Sequence, residues 1–286
     1  MQSIEKGALY IVATPIGNLA DISKRALDVL SQVDWVAAED TRHSQKLLQH
    51  FAINKSLISL HEHNETERAQ SLIDKLKQGE SGALISDAGT PLISDPGYVL
   101  VKALRDQGLE VRPIPGASAM IAALSVAGLP TDRFSFEGFL PAKANKRQTV
   151  LQALQSQTQT LVFYESPHRL MDCLLSLKTV LGESRRITVA REMTKQYEQF
   201  VSGTLAEAVA FFEAFPDKVR GEFVLVVEGA KHESEDESDQ NEWNDLIDIL
   251  LKQGLPVKQI SEIVAEYFQV KKNQVYPVVQ ARKEAQ

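Results

Sequence analysis

From residue 8 onward, short apolar runs alternate with segments whose apolar positions recur every three to four residues. ALYIVAT (8–14) precedes DISKRALDVLSQ (21–32), and DWVAAED (34–40) precedes TRHSQKLLQHF (41–51). SLISL (56–60) precedes NETERAQSLIDKLKQ (64–78), GALISD (82–87) precedes GYVLVKALRDQ (97–107), and EVRPIP (110–115) closes the series. Compact apolar runs mark strands and the 3.6-residue period marks helices. Strands alternating with helices of this length predict βαβ crossovers and a largely parallel sheet. The alternation resumes less strictly in FSFEGFL (134–140), TLVFYES (160–166), RRITVARE (185–192) and GEFVLVVEG (221–229), with helical patterns over 144–156, 167–181 and 204–214.

The pattern divides the chain into an N-terminal α/β domain (1–115), a C-terminal α/β domain (116–230), an acidic linker (231–242) and a small helical domain (243–286). The linker is charged, Ser-rich and without apolar period, which predicts a mobile segment. Beyond it three short helices are expected, with helix–turn–helix spacing: Ile260, Ile263 and Val264 share a face, and Val270 to Lys272 lead into a helix holding Val275. Such a segment is either a packing appendage or a nucleic-acid contact with Lys271, Lys272, Arg282 and Lys283 on phosphates.

Composition narrows the class. With 286 residues, 43% hydrophobic and 24% charged, the chain has material for two cores. The absence of an 18-residue apolar run argues against a membrane span. The opening MQSIEKGALYIVATP lacks the basic and apolar regions of a signal peptide. The single Cys173 cannot form an internal disulfide and sits in a helical apolar run, so a packed thiol in a cytoplasmic protein is expected. A net charge of −7 taken alone disfavours nucleic acid, but residues 231–248 hold eight acids and one Lys, leaving 30 acids against 30 bases elsewhere. Local basic patches therefore remain open.

In open parallel sheets, ligands bind beyond the carboxyl ends of the strands. Here those ends carry PIGNLADI, DTRHS, HEHNE, DAGTPLISDPG, PGASA, ESPHR and REMTK. In DAGTPLISDPG, Gly89 and Gly97 permit positive φ or close backbone approach, and Pro91 and Pro96 stiffen the loop. Asp87 is read either as a ligand acceptor or as a turn cap, and Asp95 before Pro96-Gly97 as the N-cap of the next helix. PGASA offers small residues at a helix start. There is no GxGxxG after the first strand and no GxxxxGK[ST], which disfavours a dinucleotide or P-loop site. His61 and His63, with Glu62 and Glu65, are too sparse to indicate a metal, and none is expected.

YIVATPIGNLADIS, AAEDTRHS, SDAGTPLISDPG, PGASA, FYESPHR, REMTK and GEFVLVVEG, in that order over 10–229, resemble the tetrapyrrole-methylase fold of S-adenosylmethionine (SAM)-dependent methyltransferases, in particular its rRNA-modifying branch. The resemblance implies two α/β domains with SAM in the cleft between them, and a homodimer. It also implies transfer of a methyl group to the ribose 2′-oxygen of a cytidine in the decoding region of 16S rRNA, free or in the 30S subunit. The positions it implies for SAM are Pro15, Asp87, Ala88, Gly89, Thr90, Ile93, Ser118, Ala119, Tyr164, Ala190, Glu222 and Phe223. Relatives that make corrins carry a GxGDP-type loop where this chain has SDAGTP, which counts against a tetrapyrrole acceptor.

A ribose hydroxyl is a poor nucleophile, so a base would help. Rim residues able to serve are Lys195, Glu165, His63 and Glu65; a Lys195 of lowered pKa beside Glu165 would suit. Arg42, Arg169 and Arg191 are available for phosphate, and Lys143, Lys146 and Arg147 in AKANKRQ (142–148) could guide RNA or simply begin a helix. The competing expectations are methylation of a small molecule such as a tetrapyrrole, or of a protein, on the same fold, and a non-catalytic nucleic-acid-binding module.

Overall fold

The computed structural model describes residues 4–231, 235–268 and 270–284, with backbone only for 235–242. The first five strands, β1 (Leu9–Val12), β2 (Trp35–Ala38), β3 (Ser56–Ser59), β4 (Gly82–Ile85) and β5 (Val111–Ile114), form one parallel sheet in the order β3-β2-β4-β1-β5. Helices α1 (Lys24–Gln32), α2 (Thr41–His50), α3 (Glu65–Lys77) and α4 (Tyr98–Asp106) connect them. Alternate strand residues enter opposite cores. Tyr10, Val12, Val36, Ala38, Ala83 and Ile85 pack on one face, and Leu9, Trp35, Ala37 and Leu84 on the other. A sheet covered on both faces explains why its strands read as unbroken apolar runs.

After α5 (Ala119–Val126) comes the second sheet, built from β6 (Phe134–Phe139), β7 (Thr160–Glu165), β8 (Arg186–Arg191), β9 (Gln199–Thr204) and β10 (Phe223–Val227), with α6 (Ala144–Leu154), α7 (Leu170–Leu181) and α8 (Leu205–Ala214). Its order is β6-β7-β10-β8-β9, and only β6–β7 is parallel. β9 has no counterpart in the sequence reading: QFVSGT is an edge strand with few apolar residues. One sheet face packs on α7 and α8 through Leu161, Phe163, Val189 and Leu225. The other face, with Val162, Ala190, Val224 and Val226, packs on Ala123 and Leu124 of α5 and on Ile16, which follows β1. That contact joins the two halves and leaves a cleft along their seam.

Residues 230–286 form a separate unit of three helices, α9 (Glu235–Lys252), α10 (Val257–Tyr267) and α11 (Lys272–Glu284), closed on Trp243, Ile247, Ile260, Val264, Val275 and Val279. The predicted linker is thus helical from Glu235 onward, and 232–234 lie outside the described residues. Among the described residues, no helix is long and apolar enough to cross a membrane.

Candidate functional site

β1 lies between β4 and β5, so the loops leaving these three strands meet at one edge of the sheet. Thr14 and Gly89 exchange backbone hydrogen bonds of 2.8 and 3.1 Å, tying the first loop to the second. The Thr90 hydroxyl donates to the Ala117 carbonyl at 3.1 Å, tying the second to the third. Gly89, Leu92, Ser94 and Gly97 all have positive φ, at 81°, 73°, 65° and 132°. Two of these are non-glycine residues in a sparsely populated region, a strain that structures retain where backbone placement matters. Gly97 is required as glycine, since a Cβ there would lie 2.8 Å from Leu84 and 2.9 Å from Leu92.

Over these loops lies a cavity of about 430 Å³. Asp87, Ala88, Gly89, Thr90, Ile93, Ser118, Ala119, Tyr164, Glu222 and Phe223 all line it. Pro15 lines an adjoining chamber, and Ala190 is buried behind the wall, paired with the lining residue Val224. Tyr164 forms an aromatic wall with Phe136 and Phe139, at 4.8 and 5.8 Å between ring centres, while its hydroxyl accepts from the Met120 amide at 3.2 Å. The chain read alone does not single out Ile16, Glu39, Phe139 or Met193 for this wall. Glu39 could have been found as the charged residue that ends a buried strand.

Three carboxylates crowd the polar end. Burial, reinforced by repulsion from Asp95, Asp87 and Asp40, holds the Glu39 carboxyl above its ordinary pKa. Burial and Asp87 likewise raise Asp95, against a hydrogen bond from Ser86. Asp95 is therefore a cleft residue and not the predicted cap: the N-cap position of α4 is held by Gly97, which offers no side chain, and the left-handed turns at Leu92 and Ser94 place the Asp95 carboxylate elsewhere. The cap role falls to Glu65, whose Oε1 accepts from the Leu100 amide at 2.9 Å, so Glu65 is not a rim base.

The remaining predicted residues separate. Lys195 donates to Glu192 at 2.8 Å and Glu222 at 2.9 Å. Desolvation alone would lower its pKa, but those hydrogen bonds and charges raise it overall, so it is a fixed cation rather than a base beside Glu165. Glu165 belongs to the cleft wall, but its side chain is fully buried: Oε1 accepts from the Ser166 amide, Oε2 lies 3.4 Å from Arg169, and the carboxylate sits beside the Cys173 thiol of the core. His63 is exposed, stacks edgewise on His61 and lines neither cavity. Among the described residues, no group of three or more His, Cys, Asp or Glu is arranged to hold a metal ion. Burial raises the Cys173 thiol far above its usual pKa and keeps it inert.

Arg147 is 4% exposed and donates to Ser176, Pro141 and Ala142, so it buttresses α6 against α7 and offers nothing to RNA. Arg191 spends its guanidinium on the Arg220 and Tyr197 carbonyls, and Arg169 on Leu140 and Glu165. Arg42 pairs with Asp40 but stays 89% exposed, and Lys143 and Lys146 are exposed. In the helical unit, Lys272 pairs with Glu262 and Arg282 with Asp248, leaving Lys271 exposed at the turn.

Comparison with known proteins agrees with this geometry. Residues 8–209 match the family described as Tetrapyrrole (Corrin/Porphyrin) Methylases. The chain is 51% identical over 271 residues to "Ribosomal RNA small subunit methyltransferase I" of Escherichia coli O157:H7, covering 95% of this chain and 94% of that protein. It is 50% identical to the protein of the same name from Haemophilus influenzae, over 94% and 95%. Among solved structures, a uroporphyrin-III-C-methyltransferase from Thermus thermophilus superposes with a TM-score of 0.53 at 21% identity, covering 78% of this chain and 94% of that one.

Proposed function

This chain belongs to the tetrapyrrole (corrin/porphyrin) methylase family, and from that premise we propose that it methylates the ribose 2′-oxygen of a cytidine in the decoding region of 16S rRNA. It is a SAM-dependent methyltransferase acting on small-subunit rRNA. The observation that carries the reading is identity of about one half along nearly the whole length of relatives named for that rRNA. We take the enzyme to be cytoplasmic and to work as a homodimer on the RNA or the 30S subunit. Exposed Ile121, Val126 and Phe134 support a self-association surface.

The cleft suits the cofactor in charge and shape. SAM carries a sulfonium and an ammonium against one carboxylate, and Glu39, Asp87 and Asp95 would hold its cationic groups, which would relieve the mutual repulsion of these acids. Ile93, Phe139, Tyr164 and Val224 would supply apolar surface for its adenine. Once bound, it supplies a methyl group already activated on sulfur. The protein's work is then to align the hydroxyl and exclude water. Glu165 is not available as the base, because its side chain is fully buried against Arg169 and Cys173, on the side of β7 opposite Tyr164, so the reading rests on alignment of the hydroxyl and names no base.

Incubation with radiolabelled SAM and 30S subunits or 16S rRNA lacking this modification tests the reading. Label on a cytidine 2′-oxygen supports it. Label on a base, or on a small molecule or protein instead of RNA, overturns it.

The acid cluster gives a pH prediction. Glu39 and Asp95 hold protons to higher pH in the folded chain than in the unfolded one. Their contribution to the stability of the free protein is thus greatest at acid pH and falls as pH rises through the raised values. A cation in the cleft favours the ionised forms and opposes that loss. The rise in melting temperature caused by SAM should therefore be smaller near pH 5 than near pH 7.5. A shift independent of pH would place the cationic groups away from these acids.

Lys195 gives a second. As a fixed cation it should tolerate Lys195→Arg, with single-turnover methyl transfer within a few-fold of wild type, while Lys195→Ala frees Glu192 and Glu222 and slows transfer. A base at this position would lose about 10²–10⁴-fold in both variants.

A further inference from the structure

A second chamber, of about 560 Å³, adjoins the cofactor cleft and shares Ile16, Asp87, Ala88 and Glu222 with it. Its outer wall is one face of α2. His43, Lys46, Leu47 and His50 stand at i, i+3, i+4 and i+7, which lines them along a single stripe. Leu47 is buried and the other three are exposed. Asp40 caps this helix by accepting from the Arg42 and His43 amides, and its own amide donates to Asp87 Oδ1 at 3.2 Å. The carboxylate that walls the cofactor cleft therefore also sets where the stripe stands. Arg42 and Lys195 are paired with acids, whereas Lys46 makes no ion pair or hydrogen bond among the described residues. The two chambers differ in charge: the first is walled by Glu39, Asp87, Asp95 and Glu222 with no cationic side chain among the described residues, and the second adds Lys46, Lys195 and two imidazoles to the shared Asp87 and Glu222, with Lys195 already held by Glu192 and Glu222.

We propose that the second chamber is the acceptor-nucleotide subsite, in which Lys46 binds a phosphate flanking the target ribose while His43 and His50 line its path. This rests on the RNA reading above. A nucleotide turned out of its strand sets its base against Leu19 and Leu47 and its phosphate on Lys46, and its ribose then faces the wall shared with the cofactor cleft. The volume is in the range of a single small-ligand site. Segregating charge in this way draws a cationic cofactor and an anionic acceptor to adjacent sites without competition.

The test compares wild type, Lys46→Ala, Lys46→Arg and the His43→Gln/His50→Gln double variant as full-length proteins, on unmodified 30S subunits or 16S rRNA. Lys102→Ala, on α4, serves as the control. Lys46→Ala should lower kcat/KM for RNA about tenfold, the scale of one hydrogen bond to a charged group, and leave the Kd for SAM within about twofold. It should also flatten the dependence of log kcat/KM on log salt by about 0.7–0.9, the signature of one lost phosphate contact. Lys46→Arg should restore both, and the double variant should weaken RNA use without changing SAM affinity. If Lys46→Ala matches Lys102→Ala in rate and salt slope, the subsite is overturned while the RNA reading stands. A wild type that leaves RNA unlabelled overturns both, whether or not it labels a carboxylated tetrapyrrole.

Discussion

Asp87→Asn is expected to weaken SAM binding by about 30-fold or more while leaving the fold intact. Asp87 does two jobs. Its Oδ1 accepts from the Asp40 amide at 3.2 Å, fixing the start of α2, and its charge faces both chambers. An asparagine oxygen can still accept that hydrogen bond, so the substitution removes charge and little else. Deleting one partner of a close charged pair costs about 2–5 kcal/mol in binding. The free protein should not lose stability, because Asp87 is one of the charges that push Glu39 and Asp95 upward. Asp87→Ala should lose the SAM affinity and, in addition, about 1 kcal/mol of stability with the lost hydrogen bond. Calorimetric titration with SAM and thermal melts of both variants separate the two roles. Normal SAM affinity in Asp87→Asn would leave Asp87 as a structural acceptor only.

The rim of the site was legible because the chemistry at strand ends interrupts the apolar pattern. GALIS breaks at Asp87, and EVRPI breaks at PGASA. What could not be read was direction. Asp95-Pro96-Gly97 has the composition of a helix cap, yet the left-handed turns at Leu92 and Ser94 deliver Asp95 to the cleft. Arg147 sits in a basic run that looks solvated, but it occupies the inward position of α6 and is consumed by Ser176 and two carbonyls. Lys195 lies in REMTK, and its effective charge state depends on Glu222, 27 residues away and brought beside it by β10. The stripe on α2 mixes two His, a Lys and a Leu, so it reads as an ordinary amphipathic face until the chamber beside it is seen. Periodicity reports which side of an element is buried. It does not report which strand is antiparallel or which acid has neighbours, because both are set by contacts distant in sequence.

The second large effect is expected at Gly82, far from the chemistry. Gly82 opens β4 and lies directly opposite Trp35 of β2 in the parallel register. A Cβ on Gly82 would come within 2.2–2.4 Å of three atoms of the Trp35 ring. Trp35 is 2% exposed and packs in the core with Leu72, Leu76 and Leu84, so its ring has nowhere to swing. Gly82→Ala must therefore either displace the indole or part β2 from β4. Overpacking a closed core costs about 1–3 kcal/mol, and evicting a large aromatic side chain about 3–5 kcal/mol. In a unit of this size each kcal/mol lowers the melting temperature by about 2–4 °C, so a fall of roughly 5–15 °C is expected. The damage should reach the site, because β2 leads into Glu39 and Asp40 and β4 leads into Asp87, and their spacing depends on this pairing. The double variant Gly82→Ala/Trp35→Leu provides the decisive comparison. Removing the ring leaves room for the new methyl, so Trp35→Leu should cost far less in the Gly82→Ala background than in wild type, a coupling that a double-mutant cycle measures directly. Additive losses would mean that Gly82 is needed for its backbone freedom and not for the space it cedes to Trp35.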